Sequence, residues 1–146
     1  MKRVMIILTV LMMIAAISVN AGNLPTTQVV KILDHKASLD LTDSQVKKLE
    51  HINKNAVEKM VEAMGQANIR LQEIEKFTSD WTNLNGTAVR QLIQEYYNYM
   101  ASYKAAEVNA IIQARAILKP EQLSKYQQLA SIDALMIYME RDLALN

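Results

Sequence analysis

The sequence predicts an all-α fold built from long helices with few turns. Only 3 glycines and 2 prolines occur among the 146 residues, so residues that break helices are scarce. Apolar residues recur at steps of three and four over two long segments, which is the period of an amphipathic helix. After residue 21, no segment shows the apolar and polar alternation of a half-buried strand.

The first 21 residues have the features of a cleaved Sec-type signal peptide. A positively charged start is followed by an apolar run over residues 4–17. Val19 and Ala21 are the small residues that precede a cleavage site, which falls before Gly22. The apolar run is shorter than the ~20 residues of a membrane-spanning helix, although an uncleaved anchor is the alternative. We therefore expect residues 22–146 to form one domain outside the cytoplasm with no membrane attachment.

Composition narrows the functional classes once the signal peptide is subtracted. Without Lys2 and Arg3 the chain has 14 basic and 15 acidic residues, a net charge of −1. This balance gives no electrostatic attraction for nucleic acid or for an anionic membrane. The absence of cysteine excludes disulfides, thiolate metal sites and cysteine nucleophiles. Without a Gly-x-Ser-x-Gly motif or a phosphate-binding glycine loop, we expect no enzymatic activity and no cofactor.

Polar breaks divide residues 22–146 into a short helix, two long helices and a last helix. Thr26 or Thr27 is placed to cap the short helix, which should end near Ala37. The others are predicted over residues 43–77, 88–118 and 120–143. The apolar stripe of the last helix consists of Leu123, Tyr126, Leu129, Ile132, Met136 and Met139.

The two long helices are predicted to form an antiparallel hairpin, because a turn of only ten residues, 78–87, joins them. Each helix would be roughly 45 Å long. Together they carry more apolar surface than a single hairpin can bury. We therefore expect two copies to pair as a homodimer. The apolar residues that flank the core stripes are Val57, Val61, Ile93, Met100 and Ile111.

A capping motif opens the first long helix. Thr42 is placed as the N-cap, and Gln45, three residues later, can return a hydrogen bond to the Thr42 amide. This arrangement is a capping box. Leu41 before the cap and Val46 after it are placed as a hydrophobic staple.

A second segment with the same layout opens the last helix. Leu118 and Leu123 are the staple, Pro120 takes the first helical position and Gln122 takes the third. Lys119 occupies the cap position, so the side-chain acceptor is missing. Loss of such a cap typically costs ~1 kcal/mol.

The two segments together resemble the Spy/CpxP family of periplasmic proteins, whose signature is a repeated Leu-Thr-x-x-Gln element. The first element matches in full, the second departs at Lys119, and the likeness extends over roughly residues 39–128. The resemblance implies a cradle-like antiparallel homodimer of helical hairpins. It also implies an ATP-independent chaperone that binds partly unfolded or stress-related envelope proteins. Two alternatives stay open: a divalent-metal-responsive protein of the same superfamily, for heavy-metal sensing or resistance, and a non-catalytic adaptor for the periplasmic domain of a sensor kinase.

Met60, Met64, Tyr97 and Met100 are the candidate client-binding residues. Methionine and tyrosine suit surfaces that adapt to varied partners. Tyr97 lies off the main stripe and is predicted to be the most exposed. The alternative is that most of these side chains fill the dimer core. A net charge of −1 gives little of the cationic character expected of a client-binding cradle.

A divalent-metal site would depend on the two histidines, His35 and His51. They are 16 positions apart, and no His-x-x-x-His pair occurs. They can meet only if the short first helix folds back on the long one, where Glu50 or Glu58 would assist. Otherwise both are expected to face solvent.

Overall fold

The computed structural model describes residues 25–144, with side chains up to residue 141. Every regular element in this range is a helix, which confirms the all-α prediction, and none of these helices is long and apolar enough to cross a membrane. The predicted signal peptide lies outside the described residues. The helices are α1 (Gln28–Asp34), α2 (Asp43–Ser79), α3 (Gly86–Ile117) and α4 (Pro120–Ala144).

α2 and α3 lie antiparallel as the predicted hairpin. At its open end, Gln45 Nε2 donates to the Ile117 carbonyl at 3.0 Å. Nearer the turn, Arg70 Nε donates to Glu95 Oε2 at 2.6 Å. The start of α2 therefore meets the end of α3, and the later part of α2 meets the early part of α3.

Small side chains fill the contact between α2 and α3. Alanines on both helices are buried there, and small residues allow two helix axes to approach closely. Met60 lies among them, with 1% of its surface exposed. The buried alanines are Ala56, Ala63 and Ala67 on α2 and Ala106, Ala110 and Ala114 on α3.

The main hydrophobic cluster lies at the open end of the hairpin, where α1 packs on α2 and α3. Thr27 caps α1 as predicted, since its Oγ1 accepts from the Val29 amide at 3.2 Å. The same hydroxyl donates to Asn53 Oδ1 at 2.6 Å and ties α1 to α2. α1 ends before the predicted Ala37, because residues 35–40 form a turn.

α4 packs on this cluster only through its first half. Leu123, Tyr126 and Leu129 lie against the core as predicted. The rest of the predicted stripe, from Ile132 to Met139, is not covered within one chain, because the second half of α4 carries no buried residue up to position 141. Its large apolar side chains are 55–70% exposed: Ile132, Leu135, Met136, Ile137, Tyr138 and Met139.

Candidate functional site

A complete capping box begins α2. Thr42 Oγ1 accepts from the Gln45 amide at 3.2 Å, and Gln45 Oε1 accepts from the Thr42 amide at 3.0 Å. Leu41 packs against the core cluster beside the cap. The predicted capping box is therefore confirmed.

Half of the same box begins α4. Gln122 Oε1 accepts from the Lys119 amide at 2.9 Å. Lys119 itself offers no side-chain acceptor, as predicted. Pro120 is the first residue of α4, and Leu118 is buried with 7% of its surface exposed. The second motif therefore caps its helix through the glutamine alone.

The two motif glutamines also bond to each other, a contact that neither motif alone predicts. Gln45 Nε2 donates to Gln122 Oε1 at 2.8 Å, and Gln122 Nε2 donates to Gln45 Oε1 at 3.3 Å. Gln122 Nε2 also donates to the Leu39 carbonyl at 3.1 Å. Because Gln122 is 8% exposed, these bonds satisfy an amide that has little access to water. The repeat of the motif was the only sequence signal for this contact.

These features define a class of protein: an all-α hairpin whose open end is joined by two Leu-Thr-x-x-Gln-type caps. A family model described as "LTXXQ motif family protein" matches residues 31–130, and the chain belongs to this family, the Spy/CpxP-like group. No curated protein and no solved structure gives a significant match.

One face of the hairpin carries polar side chains from both helices along grooves whose floor is formed by alanines. Two adjoining grooves of about 390 Å³ and 220 Å³ run between α2 and α3 on this face. Both helices contribute polar side chains to the same side of the hairpin. The polar lining residues include Asn55, Lys59, Glu62 and Gln66 from α2 and Ser102, Asn109 and Gln113 from α3.

The opposite face of the hairpin carries a group of apolar side chains, beyond which the Lys104–Glu107 ion pair continues the same row of α3. Because the polar flanks of α2 and α3 share one side, helical periodicity puts their other flanks together on the second side. Val61 and Met64 lie on this flank of α2, and Ile93, Tyr97 and Met100 lie on that of α3. Ile93 is 38% exposed, Tyr97 is 65% exposed and the other three are half-buried. We call these five residues the apolar face.

The structure separates the four predicted client-binding residues. Met64, Tyr97 and Met100 belong to the apolar face, and the predicted exposure of Tyr97 is confirmed. The Tyr97 ring packs edge-on against Tyr96, with centroids 5.3 Å apart. The prediction of Met60 as a surface residue is wrong, because its position on α2 turns it into the contact with α3.

Arg70 is the centre of an ion-pair network on the polar side. It pairs with Glu95 at 2.6 Å and with Glu73 at 2.9 Å, and its guanidinium lies 5.9 Å from the Tyr99 ring centroid. The hydrogen bond to Glu95 raises the pKa of Arg70 further above its usual value. Two carboxylates therefore neutralise this cation, which joins α2 to α3 and is not free to bind an anion.

The two histidines are held in separate places. α1 does fold back on α2, but His35 Nε2 lies 2.7 Å from Asp133 Oδ2 on α4. His51 is exposed and lies 3.0 Å from Asn55 on its own helix. Among the side chains that the structure describes, no group of three or more His, Cys, Asp and Glu residues is placed to hold a metal ion.

Proposed function

We propose that this protein is a periplasmic chaperone that works without ATP and holds partly unfolded envelope proteins on its apolar face. The observation that carries the proposal is the uncovered group of Met64, Tyr97 and Met100 on one side of the hairpin. Large apolar side chains grouped on a surface are typical of protein-binding sites. Methionine supplies flexibility and tyrosine supplies a broad ring with a polar end, so both tolerate varied clients.

The rest of the fold suits a rigid support for such a face. The alanine contact and the Arg70–Glu95 ion pair hold α2 against α3. The Gln45–Gln122 pair fastens the open end. These contacts fix α2 and α3 relative to each other. The side chains of the apolar face therefore remain at the surface and available to a client.

We also propose that the protein is exported to the periplasm and that two copies of it pair. The LTXXQ family is typically periplasmic, and residues 1–21 have the sequence of a signal peptide. The exposed second half of α4 adds apolar surface that water does not favour. We propose that a second copy covers part of this surface in a homodimer.

Aggregation of a heat-labile enzyme such as malate dehydrogenase tests the chaperone function. Light scattering is recorded with residues 22–146 at ratios from substoichiometric to several-fold excess, in EDTA and with added Zn²⁺. We expect light scattering to fall near an equimolar ratio of this protein to the enzyme. The decrease should be the same in EDTA and with added Zn²⁺. Suppression that requires Zn²⁺ would instead favour the metal-responsive function. Absence of suppression at every ratio contradicts the proposal and leaves the adaptor function as the alternative.

A further inference from the structure

We propose that a cavity between α1, α3 and α4 binds a single-chain amphiphile with a carboxylate head group, of the medium-chain fatty acid class. The cavity lies at the open end of the hairpin and has a volume of about 410 Å³. It shares no lining residue with the apolar face, so the site is independent of the chaperone proposal.

The walls of this cavity suit a hydrocarbon chain. Val29 and Ile32 from α1 and Leu118 at the end of α3 form the closely packed floor of the cavity, with exposures of 0%, 5% and 7%, and the half-buried Ile111 of α3 leaves apolar surface open to it. Leu123 and Tyr126 from α4 line it from the other side. The volume lies within the roughly 300–1,000 Å³ of small-molecule pockets. A single short chain fits this space better than the two long chains of a phospholipid.

The rim of the cavity suits an anionic head group. Gln28, Arg115 and Gln127 line the cavity, and all three side chains are exposed. None of the ion pairs among the described side chains involves Arg115, in contrast to Arg70. A guanidinium fork matches the two oxygens of a carboxylate.

The remaining lining groups are consistent with an anion. The described residues that line the cavity include no aspartate or glutamate, and the nearest carboxylates are those of Asp34 and Asp133 beside Tyr126, so the head group is placed at Arg115. Burial raises the pKa of the Tyr126 hydroxyl, with smaller contributions from Asp133 and Asp34. At neutral pH this phenol is therefore an uncharged hydrogen-bond donor beside the apolar walls.

Calorimetric titration of residues 22–146 with decanoate, kept below its micelle concentration, tests the site. Arg115→Gln removes the proposed head-group partner, and Arg90→Gln is the matched control, an exposed arginine near the other end of α3. We expect saturable binding that weakens about tenfold in Arg115→Gln, the size expected for one charge-assisted contact, and is unchanged in Arg90→Gln. Binding of 1-decanol, which has no charge, should not depend on Arg115.

A second pair of variants tests the chain pocket. Ala130 lines the cavity, so Ala130→Met should fill it and reduce decanoate binding, whereas Ala134→Met, on the exposed part of α4, should not. Circular dichroism checks that both variants keep their helices. If Ala130→Met does not fold, the decanoate affinity of Arg115→Gln tests the site instead. The proposal is wrong if decanoate does not bind or if Arg115→Gln binds it as tightly as the wild type. Binding to phosphatidylglycerol vesicles but not to free decanoate would also contradict it, because a bilayer contact would then explain the affinity.

Discussion

Gln45 and Gln122, which stand 77 positions apart in the sequence, donate hydrogen bonds to each other at 2.8 Å and 3.3 Å. Each glutamine also accepts from the backbone amide at the start of its own helix. The repeated motif therefore has two structural roles in this fold. It starts α2 and α4, and it joins those two starts at the open end of the hairpin.

The first prediction concerns this joint. Gln122→Ala should lower the free energy of unfolding by about 2 kcal/mol, because the Leu39 carbonyl and the Lys119 amide lose their side-chain partner. Urea unfolding followed by circular dichroism measures the change. Gln128→Ala, an exposed glutamine on the same helix, should change stability by less than about 0.5 kcal/mol.

A double-mutant cycle with Gln45→Ala isolates the contact between the glutamines. We expect a coupling energy of about 1 kcal/mol, since either single substitution already breaks the pair. Strictly additive losses would mean that the two caps act separately and that the joint contributes nothing.

The second prediction concerns the incomplete cap of α4. Lys119→Thr should raise the free energy of unfolding by about 1 kcal/mol, because a hydroxyl at this position can accept from the Gln122 amide as Thr42 does from Gln45. Lys119→Ala is the control, because it removes the lysine charge without adding a cap. It should not raise the free energy of unfolding. Equal stability of the two variants in urea unfolding would contradict the assignment of residue 119 as the N-cap.

Local features of this fold and the antiparallel pairing of α2 with α3 could be predicted from sequence, whereas the contact of α4 with the start of α2 could not. The cap at Thr42 and the proline at the start of α4 depend on residues within one turn, so their pattern is enough. The Gln45–Gln122 pair depends on how α4 returns to α2, which no local pattern records. The burial of Met60 follows the helical period of Ala56, Ala63 and Ala67, whereas the exposure of Met139 depends on where a neighbouring helix lies.

The third prediction is a loss of stability in alkali. Burial, with help from Asp133 and Asp34, raises the pKa of Tyr126, so the folded state holds the phenol proton more tightly than the unfolded state. This stabilisation is fully present below the ordinary tyrosine pKa of about 10 and is lost as the pH rises through the higher folded value. Urea unfolding from neutral pH to about 11 should show that Tyr126→Phe reduces the alkaline loss. Tyr138→Phe, at a position 70% exposed, is the control and should leave the loss unchanged.

The fourth prediction is that residues 22–146 sediment as a homodimer at micromolar concentration. The side chains of Leu135 and Tyr138 are 65% and 70% exposed in one chain, and a second copy would shield them. Leu135→Glu combined with Tyr138→Glu should shift the protein towards monomer, whereas Gln128→Glu should not. A wild-type monomer in sedimentation equilibrium would contradict the prediction.

The last prediction concerns client binding by the apolar face, and α3 offers closely matched variants for it. Ile93 and Tyr97 lie on the apolar face, while Gln94 and Asn98, one position further along the helix, are exposed polar residues away from it. The paired serine substitutions therefore make the same backbone change on two sides of one helix. Circular dichroism should report equal helicity for both double variants.

Suppression of malate dehydrogenase aggregation by these two variants tests the central claim most directly. We predict that Ile93→Ser with Tyr97→Ser loses most of the wild-type suppression, because the client then meets hydroxyls in place of an isoleucine and an aromatic ring. The control variant, Gln94→Ser with Asn98→Ser, should suppress aggregation as well as the wild type does. Equal suppression by both variants would contradict the assignment of the apolar face as the client-binding surface.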